Sequence, residues 1–128
     1  MKLLQDYYDR FNARDVEGFL ALLHPDIVHE VSQGETRVGV EAFREFLGHM
    51  NRCYRETVSE LVLFSHGDRG AAEFMLDGEY LATDGDLPPA RGQRYRLRVG
   101  AFFEVKEGRI SRVSNHYNIQ EWLRQIAR

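Results

Sequence analysis

Two stretches near the C-terminus, RYRLRVGAFFEV at 94–105 and RISRVSNHYN at 109–118, constrain this chain more than any other part of it. In the first, Tyr95, Leu97, Val99, Ala101, Phe103 and Val105 alternate with Arg94, Arg96, Arg98, Gly100, Phe102 and Glu104, the period of two that a half-buried strand requires. Lys106, Glu107 and Gly108 form a tight charged turn between the stretches. The second sets Val113, Asn115 and Tyr117 against Arg112, Ser114 and His116. An amide and a phenol thus enter the covered row, where polar groups need partners. Those partners are either core hydrogen bonds or a ligand, and the choice decides the function.

The rest of the chain supplies helices first and strands later. Leu4, Tyr7, Tyr8 and Phe11 mark an amphipathic helix closed near Asn12, and Asp15 is placed to cap a second helix carrying Val16, Phe19, Leu20 and Leu23, which Pro25 stops. DIVHEVSQ reads as a short strand with Ile27, His29 and Val31 on one face and Val28, Glu30 and Ser32 on the other. After a short extended piece, ETRV, the residues Val40, Phe43, Phe46, Leu47, Met50 and Tyr54 mark a third helix. TVSELVLFS and AAEFMLDGEYLAT are strands, the latter with Ala72, Phe74, Leu76 and Tyr80 on one face. DGDLPPARG, at 84–92, holds two prolines and two glycines and reads as an exposed irregular connection. Ile119, Trp122, Leu123 and Ile126 form a terminal helix. The order predicts a segregated α+β fold in one domain, 1–128.

Composition narrows the partners. The 128 residues carry a formal charge of -3 and no basic run, whereas phosphate binding needs concentrated positive charge, so nucleic acid is not expected. Arg94, Arg96 and Arg98 come nearest to a patch, and Glu73, Asp77 and Glu79 are placed to neutralise them. No apolar run approaches the roughly 20 residues of a membrane span. The acidic N-terminal stretch and the single cysteine, Cys53, point to the cytoplasm.

The run QDYYDRFNARDVEGFLALLHPDIVHEV, then GVEAFREFL, then FFEVKEGRISRVSNHYNIQEW, resembles the nuclear transport factor 2-like superfamily, and within it the SnoaL-like and ketosteroid isomerase-related proteins. The resemblance covers essentially the whole chain and includes the N-A-x-D-x-E-G break between the first two helices. It implies a cone-shaped α+β barrel of the cystatin-like kind, a curved mixed sheet wrapped on N-terminal helices, with a pocket between them. It also implies a homodimer packed through the outer sheet face. In the steroid isomerases a tyrosine and a protonated aspartate form the oxyanion hole and a second aspartate is the base. By the same resemblance the tyrosine falls on Tyr7, the base on Val31 beside Glu30, and the protonated aspartate on Ala101. A hydrocarbon neither takes nor gives a proton, and alternation turns Glu30 away from a site that Val31 lines.

The candidate catalytic residues are therefore Tyr7, as donor to a substrate oxygen, and His29, as general acid or base. Val31, Phe74, Tyr80, Ala101, Phe103, Asn115 and Tyr117 are the expected substrate-binding surface. For each aromatic the plainer reading is core packing, and for His29 a structural histidine. The five histidines show no paired ligand spacing, so neither a metal nor any other cofactor is expected. Three functions follow. A cofactor-independent isomerase, dehydratase or cyclase for a small apolar carbonyl or hydroxyl compound requires Tyr7, His29 and Asn115 around one cavity. A non-catalytic binding protein for a hydrophobic metabolite requires a cavity without a titratable group. A dimeric interaction module requires a filled cone and an apolar outer face around Phe102 and Met75.

Overall fold

The computed structural model describes residues 2–31 and 34–128. Its elements run α1 (Lys2–Ala13), α2 (Val16–Leu20), β1 (Leu23–Glu30), β2 (Thr36–Val38), α3 (Val40–Cys53), β3 (Tyr54–His66), β4 (Arg69–Tyr80), β5 (Gln93–Lys106), β6 (Arg109–Tyr117) and α4 (Ile119–Ala127). The strands form one curved, open, mixed sheet in the order β2-β1-β6-β5-β4-β3. β1 and β6 are parallel and the other neighbours antiparallel. This is the segregated α+β arrangement that the sequence predicts.

Local chemistry explains the element ends. Glu107 and Gly108 have φ of 54° and 74°, the left-handed pair that a two-residue hairpin turn between β5 and β6 demands. Arg14 takes φ 58° and ends α1, and the Asp15 carboxylate accepts from the Gly18 N–H at 3.0 Å to cap α2. Asn12 does more than close a helix. Its amide donates to the Val58 carbonyl at 2.9 Å and accepts from the Val58 N–H at 2.8 Å, so one side chain satisfies both backbone groups on the edge strand β3 and ties α1 to it.

Three boundaries differ from expectation. α2 ends at Leu20 and β1 begins at Leu23, so Pro25 lies within a strand and does not stop the helix. It is tolerated because the β1–β6 register shifts between Leu23 and Val28, an irregularity where no ladder hydrogen bond is required of it. Tyr54 belongs to β3 rather than the third helix, with extended φ −137° and ψ 156° immediately after α3. The strand predicted over 26–33 ends at Glu30, and Ser32 and Gln33 lie outside the described residues.

Register sorts the two sheet faces. Phe74 and Val99 pair on the inner face and Asp77 and Arg96 on the outer one. There Arg94, Arg96 and Arg98 meet Glu79, Asp77 and Glu73 at 4.0, 2.7 and 3.8 Å, so the row is neutralised as its spacing suggests. Helices α1 and α3 pack on the sheet, α2 packs against both of them, and α4 packs on β5. No helix among the described residues is long and apolar enough to cross a membrane.

Candidate functional site

The helices do not fill the concave face. A cavity of about 370 Å³ remains between them and the sheet, within the range of small-molecule sites. Its walls are mainly apolar: Phe19 from α2, Phe43, Phe46 and Leu47 from α3, Phe74 and Leu76 from β4, and Leu97 and Val99 from β5. Polar groups enter from several elements. Tyr7 and Tyr8 come from α1, His29 from β1, Tyr54 and Glu56 from β3, Tyr95 from β5, and Asn115 and Tyr117 from β6. The 84–92 segment is no mere exposed connection, because Asp84 and Leu87 form part of the wall. The Tyr80 hydroxyl holds it down by donating to the Pro88 carbonyl at 2.7 Å and accepting from the Asp84 N–H at 2.9 Å.

Of the residues expected here, Tyr7, His29, Val31, Phe74, Asn115 and Tyr117 line the cavity. Three do not. Tyr80 is completely buried, its ring stacked on Tyr54 at 5.4 Å and its hydroxyl used by the loop. Phe103 is sealed beneath α1, where Tyr7 meets it edge-on at 5.3 Å. Ala101 shares the inward parity but is covered completely, and its methyl reaches no open space. Alternation decides which way a strand residue points. It does not decide whether a helix already sits on top.

His29 occupies an aromatic slot, stacked on Phe43 at 4.2 Å and edge-on to Phe46 at 4.6 Å. Its Nδ1 is buried with no hydrogen-bond partner. Burial, reinforced by the positive charge of Arg37, pushes the imidazole down to about 4. It is therefore neutral at pH 7 and a weak proton acceptor, and it lacks the second-nitrogen partner that commonly fixes a catalytic tautomer. Glu30 points to the other face, as alternation requires, and pairs with Arg112 at 2.8 Å.

The residue that sequence reading missed is Glu56. It shares inward parity with Tyr54 and Val58 on β3, and its carboxyl faces the cavity wall. Burial pushes the carboxyl up, against the opposing pull of a hydrogen bond from Tyr95 and the charge of Arg14. The Tyr95 hydroxyl reaches Glu56 Oε2 from two strands away. It passes over Gly78, which pairs with both residues, and a Cβ at Gly78 would lie 2.1 Å from the Tyr95 ring. A missing side chain on β4 thus opens the path for the contact. The sequence signal was a carboxylate at Glu56, where the pattern changes to strand, in phase with an apolar row; it was passed over because its partner, Tyr95, lies two strands away.

Arg14 stands beside this carboxyl, its guanidinium donating to the Asn12 carbonyl at 3.0 Å and the Thr57 hydroxyl at 3.4 Å. Tyr117 also feels the site, its phenol pushed up by burial and then by Glu56. The cavity accordingly holds an uncharged imidazole on the β1 side and a carboxyl raised by burial on the β3 side. Phenols and an amide lie on the walls between them. Such an arrangement can move a proton on a bound molecule without any cofactor.

A SnoaL-like domain model matches residues 4–113. A candidate polyketide cyclase from Pseudomonas putida KT2440 is 47% identical, covering 98% of this chain and 96% of that one, with a TM-score of 0.96. Candidate polyketide cyclases from Xanthomonas campestris pv. campestris and Silicibacter sp. TM1040 are 44% and 43% identical, with TM-scores of 0.96 and 0.97. The first covers 98% of this chain and 94% of its own, the second 99% and 94%. A nuclear transport factor 2-like protein from Burkholderia pseudomallei K96243, 20% identical over 100% of this chain and 97% of its own, shares the cone-shaped fold at a TM-score of 0.81. No curated protein matches the chain.

Proposed function

The chain belongs to the SnoaL-like domain family, and from that premise we propose that it is a cofactor-independent isomerase, dehydratase or cyclase whose proton-transfer group is Glu56. The substrate is a small, largely apolar compound with a carbonyl or hydroxyl group. The observation that carries this reading is the Glu56 carboxyl, raised by burial and held by Tyr95 on the wall of an apolar cavity. A purely binding cavity has no use for a titratable group there.

In the proposed reaction Glu56 takes a proton from the carbon next to the substrate carbonyl. The electron pair of the broken C–H bond moves into the new carbon–carbon double bond, and the carbonyl oxygen becomes an enolate. Tyr7, which makes no hydrogen bond to the protein among the described residues, and Asn115 donate to that oxygen. Returning the proton to a different carbon completes an isomerisation. Attack of the enolate carbon on a second carbonyl, with the proton passed to the new alkoxide, completes a cyclisation. The names of the close relatives favour the cyclase branch.

We also propose a homodimer through the outer sheet face, supported by Val62, Phe64 and Phe102, whose exposures are 47%, 56% and 52%. The lone cysteine suits a reducing compartment, and we place the protein in the cytoplasm on that basis.

The test begins with mass spectrometry of gently purified protein for a retained carbonyl compound, supplemented by a panel of aryl ketones and cyclic diketones. Incubation in D₂O is expected to place deuterium on the carbon next to the carbonyl. Glu56→Gln is expected to slow this by at least about 100-fold, the low end of general-base effects. Exchange by Glu56→Gln at the wild-type rate would exclude Glu56 from the chemistry.

A further inference from the structure

The C-terminal turn of α3 and the loop after β4 bring together three groups that sequence spacing left apart. His49 and Cys53 are four residues apart on one helix and leave the same face of it. Asp84 approaches from the loop. The ligating atoms of the three all lie within 4.8 Å of one another, and His49 Nε2 is 2.9 Å from Asp84 Oδ1. We propose that His49, Cys53 and Asp84 form a binding site for a divalent zinc-type cation, which clips the 84–92 loop to the end of α3 beside the cavity.

An ion pair accounts for His49 and Asp84, and Cys53, buried at the edge of the core, brings a sulfur to the same point. The combination of thiolate, imidazole and carboxylate suits a borderline-soft ion, and tetrahedral zinc holds such donors about 3.4–3.6 Å apart, given its bond lengths. Reaching that spacing from a cluster no wider than 4.8 Å takes side-chain adjustment rather than refolding. Asp84 is also oriented as a ligating carboxylate is. One oxygen faces the cluster, while the other accepts from the Tyr54 hydroxyl at 2.7 Å, the outer partner that metal-bound carboxylates commonly have. The backbone is fixed on both sides, because Leu81 and Ala82 donate to the Cys53 carbonyl at 2.7 and 3.2 Å and Asp84 donates to Tyr80. Cys53 is buried, whereas the His49 side chain is 43% exposed and leaves an entry path. The histidines alone gave no signal in the sequence because the second ligand is a cysteine and the third lies 31 residues further on.

The whole chain, stripped with a chelator and titrated with Co²⁺, provides the test. One equivalent is expected to produce the near-ultraviolet sulfur-to-cobalt band and the visible bands of a tetrahedral ion, both bleached by Zn²⁺. His49→Gln, at a part-exposed position, is expected to fold normally and to lose these bands. Tyr54→Phe is expected to keep them and to weaken Zn²⁺ binding by about 10–100-fold. No sulfur-to-cobalt band in the wild type, or a band unchanged in both His49→Gln and Asp84→Asn, would overturn the proposal. Its failure would leave the Glu56 chemistry untouched, since the deuterium exchange test requires no metal.

Discussion

His29 and Glu56 line the same cavity, and burial drives them toward neutrality from opposite sides. The imidazole is pushed down from its ordinary 6.5 to about 4. A group with a lowered folded value contributes stability that is complete above the unfolded value and is lost as pH falls through the folded one. Each pH unit between the two is worth about 1.4 kcal/mol, so on the order of 3 kcal/mol is expected to drain away between pH 6.5 and 4. His29→Phe keeps a ring against Phe43 and Phe46 and removes the titration. Urea unfolding at pH 7 and 4.5 is expected to show a flatter acid limb for the variant, and equal losses in both proteins would contradict the burial argument. Glu56 has the opposite sign: its value is raised, so its contribution is complete at low pH and is lost as pH rises through the folded value. Glu56→Gln is accordingly expected to be at least as stable as wild type at neutral pH, which makes it a clean catalytic control.

Contacts between elements depend on residues whose importance lies in what they leave out. Gly78 is such a position, since any Cβ there meets the Tyr95 ring at 2.1 Å. Gly78→Ala is expected to cost about 1–3 kcal/mol, the usual range for overpacking. Adding Tyr95→Leu is expected to recover much of that loss, because the cost arises from one shared contact. Additive losses in a denaturation double-mutant cycle would contradict this. The same elements indicate how far the sequence could be read. The inward parity of Phe74, Asn115 and Tyr117 was legible because strict alternation leaves a strand side chain two choices. The Asp15 cap was legible because capping is local. Glu56 was not legible, because its facing depends on where β3 begins and its partner lies two strands away. Tyr80 was misplaced for a related reason: it faces inward as predicted, but the loop carbonyl of Pro88 claims its hydroxyl before a ligand could.

Over the whole molecule the two faces of the sheet have different uses. The inner face is hollow, while the outer face combines the arginine–acid ladder with a patch around Phe64 and Phe102. Phe102→Asp is expected to leave the fold intact and convert the proposed dimer to monomer, as read by light scattering coupled to size exclusion. A wild-type protein already monomeric at micromolar concentration would remove the dimer. The family resemblance conveyed the cone and the position of Tyr7. It could not convey the acid–base group, because by that resemblance the steroid isomerase aspartates fall on Val31 and Ala101, both hydrocarbon side chains. A proton-transfer carboxyl on the opposite wall is thus the central claim, and a carbon-13 NMR titration of the glutamate carboxyls, with Glu56 assigned through Glu56→Gln, tests it most directly. A midpoint for Glu56 above the ordinary glutamate value of about 4.3, moving higher still in Tyr95→Phe, is the result expected; a midpoint at or below that value would contradict the account.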